Sequence, residues 1–268
     1  MCSSDLDEAT TPGQATETGQ ATETGHPTEA AQVLRLAAAE ARTEPVLPAE
    51  PGQFVFVRSR AAWAGAMQPK SGEARYEPAV EQVRLIWLSV DGSKDGLLRQ
   101  TPAKPGTAAR EPGLEDMPLT GGRGIPAYRR DLPTAEKGMR AYLYEGTETT
   151  KPGGPSADTR AFTKVGDTLR EQYVPPASVA AMFDAAATIP GTSVVPQADL
   201  AGRRGTAVSR TESGIRHDLI FDSTTYKFLG ERDVVVDAGQ AKPFPAGAVI
   251  GWTAQLKIAI VDRAGQLP

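Results

Sequence analysis

Alternation of apolar and polar residues is most sustained near the carboxy terminus. There Ile250, Trp252, Ala254, Leu256, Ile258 and Ile260 take every second place, with Gly251, Thr253, Gln255 and Lys257 between them. A period of two puts successive side chains on opposite faces of an extended chain. The pattern therefore predicts a strand from Ala248 to Asp262 with one dry face turned toward covering helices and one wet face. At about 3.4 Å per residue such a strand runs for roughly 44 Å, which suits a large curved sheet. Shorter alternating runs at Gly205 to Arg210, Ile215 to Phe221, Lys227 to Leu229 and Asp233 to Val236 read as a β-meander leading into it.

Upstream the period changes. Ala31 to Ala41 is Ala-rich, carries Val33, Leu34 and Leu36 on one side, and is stopped by Pro45 and Pro48, which predicts a helix. Gln53 to Ser59 sets Phe54 and Phe56 against Val55 and Val57, a strand apolar on both faces. Val83 to Val90, the turn residues Asp91 to Gly96, and Leu97 to Gln100 form a hairpin. Helical spacing marks Pro133 to Tyr144, Thr159 to Gln172 and Ala177 to Thr188, and Phe162, Val165, Leu169 and Tyr173 make one buried stripe through the second of these. Helices gathered on one face of a large, curved antiparallel sheet give an α+β fold.

Two stretches lack any period. Residues 101–132, crowded with Pro and Gly, read as a flexible surface loop. Residues 1–28 hold the tandem repeat Gly13 to Thr18 and Gly19 to Thr24 and have almost no apolar residue to bury, so they read as a disordered tether ahead of a single domain at 29–268. Met1 to Leu6 looks like a translated sequencing adapter, with an acylated Cys2 as the competing reading.

Composition narrows the function classes. A net charge of -4 lacks the basic excess that nucleic-acid binding requires. Cys2 is the single cysteine, which excludes an intramolecular disulfide and a thiolate metal cluster within one chain. No run reaches the roughly 18 apolar residues of a membrane span, and the chain as given is expected to be soluble.

Chemistry is sparse. Only His26 and His217 are present, and His217 has no nucleophile-elbow serine to serve, so a polar position on a sheet is favoured over a hydrolase. Asp91, Ser93, Asp95 and Gly96 imitate the opening of a calcium loop, but its twelfth position is Pro102 and Lys94 adds positive charge, so a turn is favoured. Gly121 to Gly124 precedes Ile125-Pro126 rather than a helix and has no phosphate-cradling geometry. Asp218 and Asp222, about 13 Å apart along an extended segment, cannot share acid–base work. No catalytic set, metal or cofactor is implied. Phe54, Phe56, Trp87 and Trp252 lie in predicted strands lining the sheet's interior, and are the candidate ligand-binding residues if that interior holds an apolar cavity rather than a filled core.

The block Asp199-Leu-Ala-Gly-Arg-Arg-Gly-Thr-Ala-Val-Ser-Arg210, with Leu219 to Asp222, Thr225-Tyr226 and Leu229-Gly-Glu231, resembles the carboxy-terminal half of an uncharacterised actinobacterial envelope family. Ala161 to Asp167, Pro175-Pro176 and Val249 to Thr253 resemble further signatures of that family, whose members are often encoded beside extracytoplasmic-function sigma factors. The family is similar in layout to the half-barrels of LolA, LppX and RseB, and its members typically carry a transmembrane helix before the Ala-rich helix. The resemblance implies a non-enzymatic, extracytoplasmic binding or sensory domain. It would be membrane-tethered through an upstream anchor and would take a lipidic ligand or a regulatory protein partner. A protein-interaction module with a filled core, using the 101–131 loop as its contact surface, is the alternative, and a hydrolase at His217 the third.

Overall fold

A computed structural model of the chain describes residues 28–101, 113–120, 124–147 and 153–268. The tether and its repeat, with Cys2 and His26, lie outside the described residues, as do Pro102 and residues 121–123.

The described residues open with helix α1 (Glu29–Thr43), then strands β1 (Phe54–Met67), β2 (Arg75–Ser89), β3 (Gly96–Gln100) and β4 (Glu115–Leu119). Helices α2 (Glu136–Tyr144), α3 (Ala157–Glu171) and α4 (Pro176–Ala186) follow, and strands β5 (Thr192–Pro196), β6 (Gly205–Glu212), β7 (Ile215–Asp222), β8 (Phe228–Val235) and β9 (Val249–Val261) complete it. The nine strands among the described residues form one open antiparallel sheet in the order β4-β3-β2-β1-β9-β8-β7-β6-β5. The α+β class with a curved sheet is thus the observed architecture.

Local chemistry explains the boundaries. Thr28 caps α1 by accepting from the Ala31 N–H at 3.2 Å, and Ser156 caps α3 from Thr159 N–H at 3.3 Å. Glu212 of β6 adds a carboxylate to the α3 start, accepting from the Ser156 N–H and hydroxyl at 3.0 and 2.9 Å. Pro176 opens α4 at a position where its missing N–H costs no helical bond. The helices bury Leu34, Met139, Phe162, Val165 and Phe183 against Val208, Leu219 and Phe221 of the sheet.

Several elements depart from the sequence expectation. β4 lies within the stretch read as a loop and pairs with β3 from Gly96↔Leu119 to Gln100↔Glu115. β5 has no sequence counterpart, and the two short runs around Leu229 and Val235 are one strand, β8. β1 and β2 continue as a long two-stranded arm to Met67↔Arg75, through positions where alternation fades.

A further departure is in β9. Lys257 pairs with Arg58 and Gln255 with Ser59, leaving Leu256 as an extra residue, a β-bulge. On its amino-terminal side Trp252 and Ala254 pair with Ala62 and Arg60, on the face of Phe54 and Phe56. On its carboxy-terminal side Ile258 and Ile260 pair with Val57 and Val55, on the opposite face. The single dry face expected from period two is therefore two half-faces on opposite sides, because one inserted residue shifts every later side chain across the sheet. Gln255 Nε2 donates to the Leu169 carbonyl of α3 at 2.8 Å, which identifies the side of Ile258 and Ile260 as the helix side.

Candidate functional site

β9 stays paired to β1 as far as Val261, but to β8 only from Arg232↔Trp252 to Val234↔Val249. The ladder ends at Trp252, although Gly230 still lies against the Thr253 carbonyl, and the strands part between Leu229 and Gln255. Arg203 bridges the parting, donating to the carbonyls of Leu229 on β8 at 3.2 Å and Gln255 on β9 at 2.8 Å. Asp199 holds the guanidinium in place: its Oδ2 accepts from Arg203 Nε at 2.7 Å and its Oδ1 from the Arg203 N–H at 2.8 Å. The Asp199 side chain has no solvent exposure, and the Arg203 guanidinium is its ion-pair partner.

Above the split lies a cavity of about 470 Å³. Ala37 and Ala41 of α1 with Val179 and Phe183 of α4 form its roof, Leu169 and Tyr173 its inner wall, and Phe228, Leu229, Leu256 and Ile258 its floor. The Tyr173 hydroxyl accepts from the Leu47 N–H at 2.8 Å, and burial raises the pKa of the phenol, keeping it protonated. Charged groups ring the mouth: Glu40 and Glu44 from α1, Lys227 from the β7–β8 turn, and Lys257 after the bulge. Lys227 forms an ion pair with Glu44 and has Glu40 at 3.7 Å, and the Glu44 carboxylate raises the ammonium pKa.

The four aromatics singled out in the sequence share one face of the sheet, and it is the face away from the helices. Phe54, Phe56 and Trp87 pack on one another there, with the Phe56 and Trp87 rings 5.2 Å apart. The carboxy-terminal segment covers them, and Trp87 Nε1 donates to the Gln266 carbonyl at 2.6 Å. Trp252 sits in a separate cluster with Ala207, Ile220 and Leu229, under the Arg232 guanidinium at 5.2 Å. None of the four lines the cavity, because a strand apolar on both sides does not reveal which side its helices take. Of the cavity residues, Leu169 and Tyr173 were visible in the helical stripe. The roof alanines carry no signal beyond ordinary core composition and Leu256 reads as one more place in the β9 alternation, whereas Tyr226 and Leu229 fall in segments that carry the family resemblance.

The other candidates also find their places. His217 Nδ1 lies 2.7 Å from Asp233 Oδ1, and among the described residues no hydroxyl is hydrogen-bonded to its Nε2. Asp218 is buried between Arg216, which donates to it at 2.8 and 3.0 Å, and the Ser209 hydroxyl at 2.6 Å. Asp91 closes a turn, accepting from the Ser93 N–H at 3.0 Å and from the Ser89 and Ser93 hydroxyls at 2.8 and 2.6 Å. These bonds hold its carboxyl well below the usual range. No helix among the described residues is long and apolar enough to cross a membrane.

The chain matches no protein-family model, and no curated protein resembles it significantly in sequence.

Proposed function

We propose that this domain captures a lipidic acyl chain in the cavity above the β8–β9 split, acting by binding rather than by bond chemistry, on the outer side of a cell membrane. The observation that carries the reading is the cavity itself. Its volume of about 470 Å³ falls within the range of roughly 300–1,000 Å³ typical of small-molecule sites, and its walls are mainly aliphatic and aromatic, with Arg203 at the split and the other charges at the mouth. Burying apolar ligand surface there gains roughly 25 cal/mol per Å² before association costs. Supporting it, segments that carry the envelope-family resemblance supply the Asp199–Arg203 clamp, Tyr226 and Leu229, all at this site. Location outside the cytoplasm and a membrane anchor upstream follow from that resemblance.

The test is uptake of a fluorescent fatty acid by the purified chain, alongside mass spectrometry of its organic extract. We expect saturable uptake that Ala41→Trp abolishes by filling the roof while circular dichroism stays unchanged. A protein that takes up no fatty acid and yields no extractable lipid overturns the proposal.

A further inference from the structure

We infer that the β7–β8 turn is a latch that governs exchange through the cavity mouth; this rests on the ligand reading above, whose site it regulates. Three observations converge on the turn. First, it is rigidly built: Asp222 Oδ1 accepts from the Thr224 and Thr225 N–H groups at 2.9 and 2.8 Å, and the Tyr226 N–H returns to the Asp222 carbonyl at 3.0 Å. Second, Tyr226 is held at φ 60°, the left-handed region that a residue with a bulky side chain enters only when its surroundings hold it there. Third, the next residue, Lys227, reaches out of the sheet to Glu44 and Glu40 near the end of α1, the helix that roofs the cavity.

Each part has a role in opening and closing. Tyr226 and Lys227 line the cavity from the sheet side, and Glu40 and Glu44 from the helix side. The contacts of Lys227 with Glu40 of α1 and Glu44 at its cap are the two salt bridges, among the described residues, that join this turn to that helix end. Lys227 is about half exposed, so the lock is weak enough to open on thermal motion and sensitive to ionic strength.

The experiment reads access without requiring a ligand. In the full chain carrying Cys2→Ser and Leu169→Cys, the rate of maleimide labelling reports entry to the inner wall; Val179→Cys in the roof serves as the second reporter should the first fail to fold. We expect Lys227→Ala and Glu44→Gln each to speed labelling roughly two- to fivefold, the weight of an exposed ion pair, with no further gain in the double variant. High salt should accelerate the parent alone, and Arg42→Ala, which breaks the α1–α4 pair to Asp184 away from the mouth, should leave the rate unchanged. Equal rates in parent and Lys227→Ala, or an equal acceleration by Arg42→Ala, overturn the latch. The same variants are then compared for fluorescent fatty-acid release. Labelling that responds while no fatty acid binds upholds the latch and sinks the acyl-chain reading; fatty-acid binding with unresponsive labelling and release does the reverse.

Discussion

Gly166 lies in the interior of α3, where alanine would gain about 1 kcal/mol of helix propensity. A Cβ there would collide with Glu231 Oε2 on β8 and come within 3.2 Å of Leu219 Cδ2. The clash outweighs the propensity, so Gly166→Ala should destabilise the fold by about 1–3 kcal/mol in urea unfolding. Glu231 itself is enclosed beneath the helix beside Arg170, and burial raises its pKa despite that partner. A carboxyl with a raised folded pKa favours folding while protonated. As pH climbs past about 4.5, where the unfolded chain releases this proton first, its contribution declines. Unfolding free energies measured at pH 5 and pH 7 should therefore fall more steeply for the parent than for Glu231→Gln. Neither effect was legible beforehand, since a glycine in a helix and a glutamate in a strand acquire these meanings only when α3 crosses β8.

At the scale of elements, the clearest sequence signal held where one periodic face met one partner. Phe162, Val165 and Leu169 repeat at helical spacing and all three are buried by α3 packing on the sheet, and Phe162→Ala should cost about 3–5 kcal/mol by leaving a cavity in that core. The signal misled where pairing changed the count. Apolar residues at even numbers run unbroken through β9, but the bulge at Leu256 divides them between two faces. Nothing in a list of residue types distinguishes a bulged leucine from a regular one. β4 escaped notice because its Glu115, Asp116 and Pro118 suit a sheet edge, where acidic side chains and proline discourage further pairing, more than a strand interior. Deleting Leu256 should cost little more than Leu256→Ala, because without the extra residue Gln255 and Lys257 become neighbours that keep their pairing to Ser59 and Arg58, so no side chain changes face, and the exposed leucine itself contributes little. Urea midpoints of the two variants provide the comparison.

Taken whole, the fold class could be read from the chain because helices and strands segregate along it, whereas the site could not. The cavity arises where β8 and β9 cease to pair, and that divergence is a property of three segments together: Asp199–Arg203, the β7–β8 turn and the bulge. A ligand that binds only the folded state stabilises it by mass action, about 2.7 kcal/mol at one hundred times its dissociation constant. Saturating fatty acid should accordingly raise the melting temperature of the parent and leave that of Ala41→Trp in place.

β9 also stands between two sequential meanders, β4-β3-β2-β1 on one flank and β8-β7-β6-β5 on the other, and joins them at the middle of the sheet. Each flank can zip up from neighbouring hairpins during synthesis, but their union waits for the last strand to leave the ribosome. Until then the inward edges of β1 and β8 remain open, and the nascent chain is most vulnerable to wrong partners at what becomes its centre.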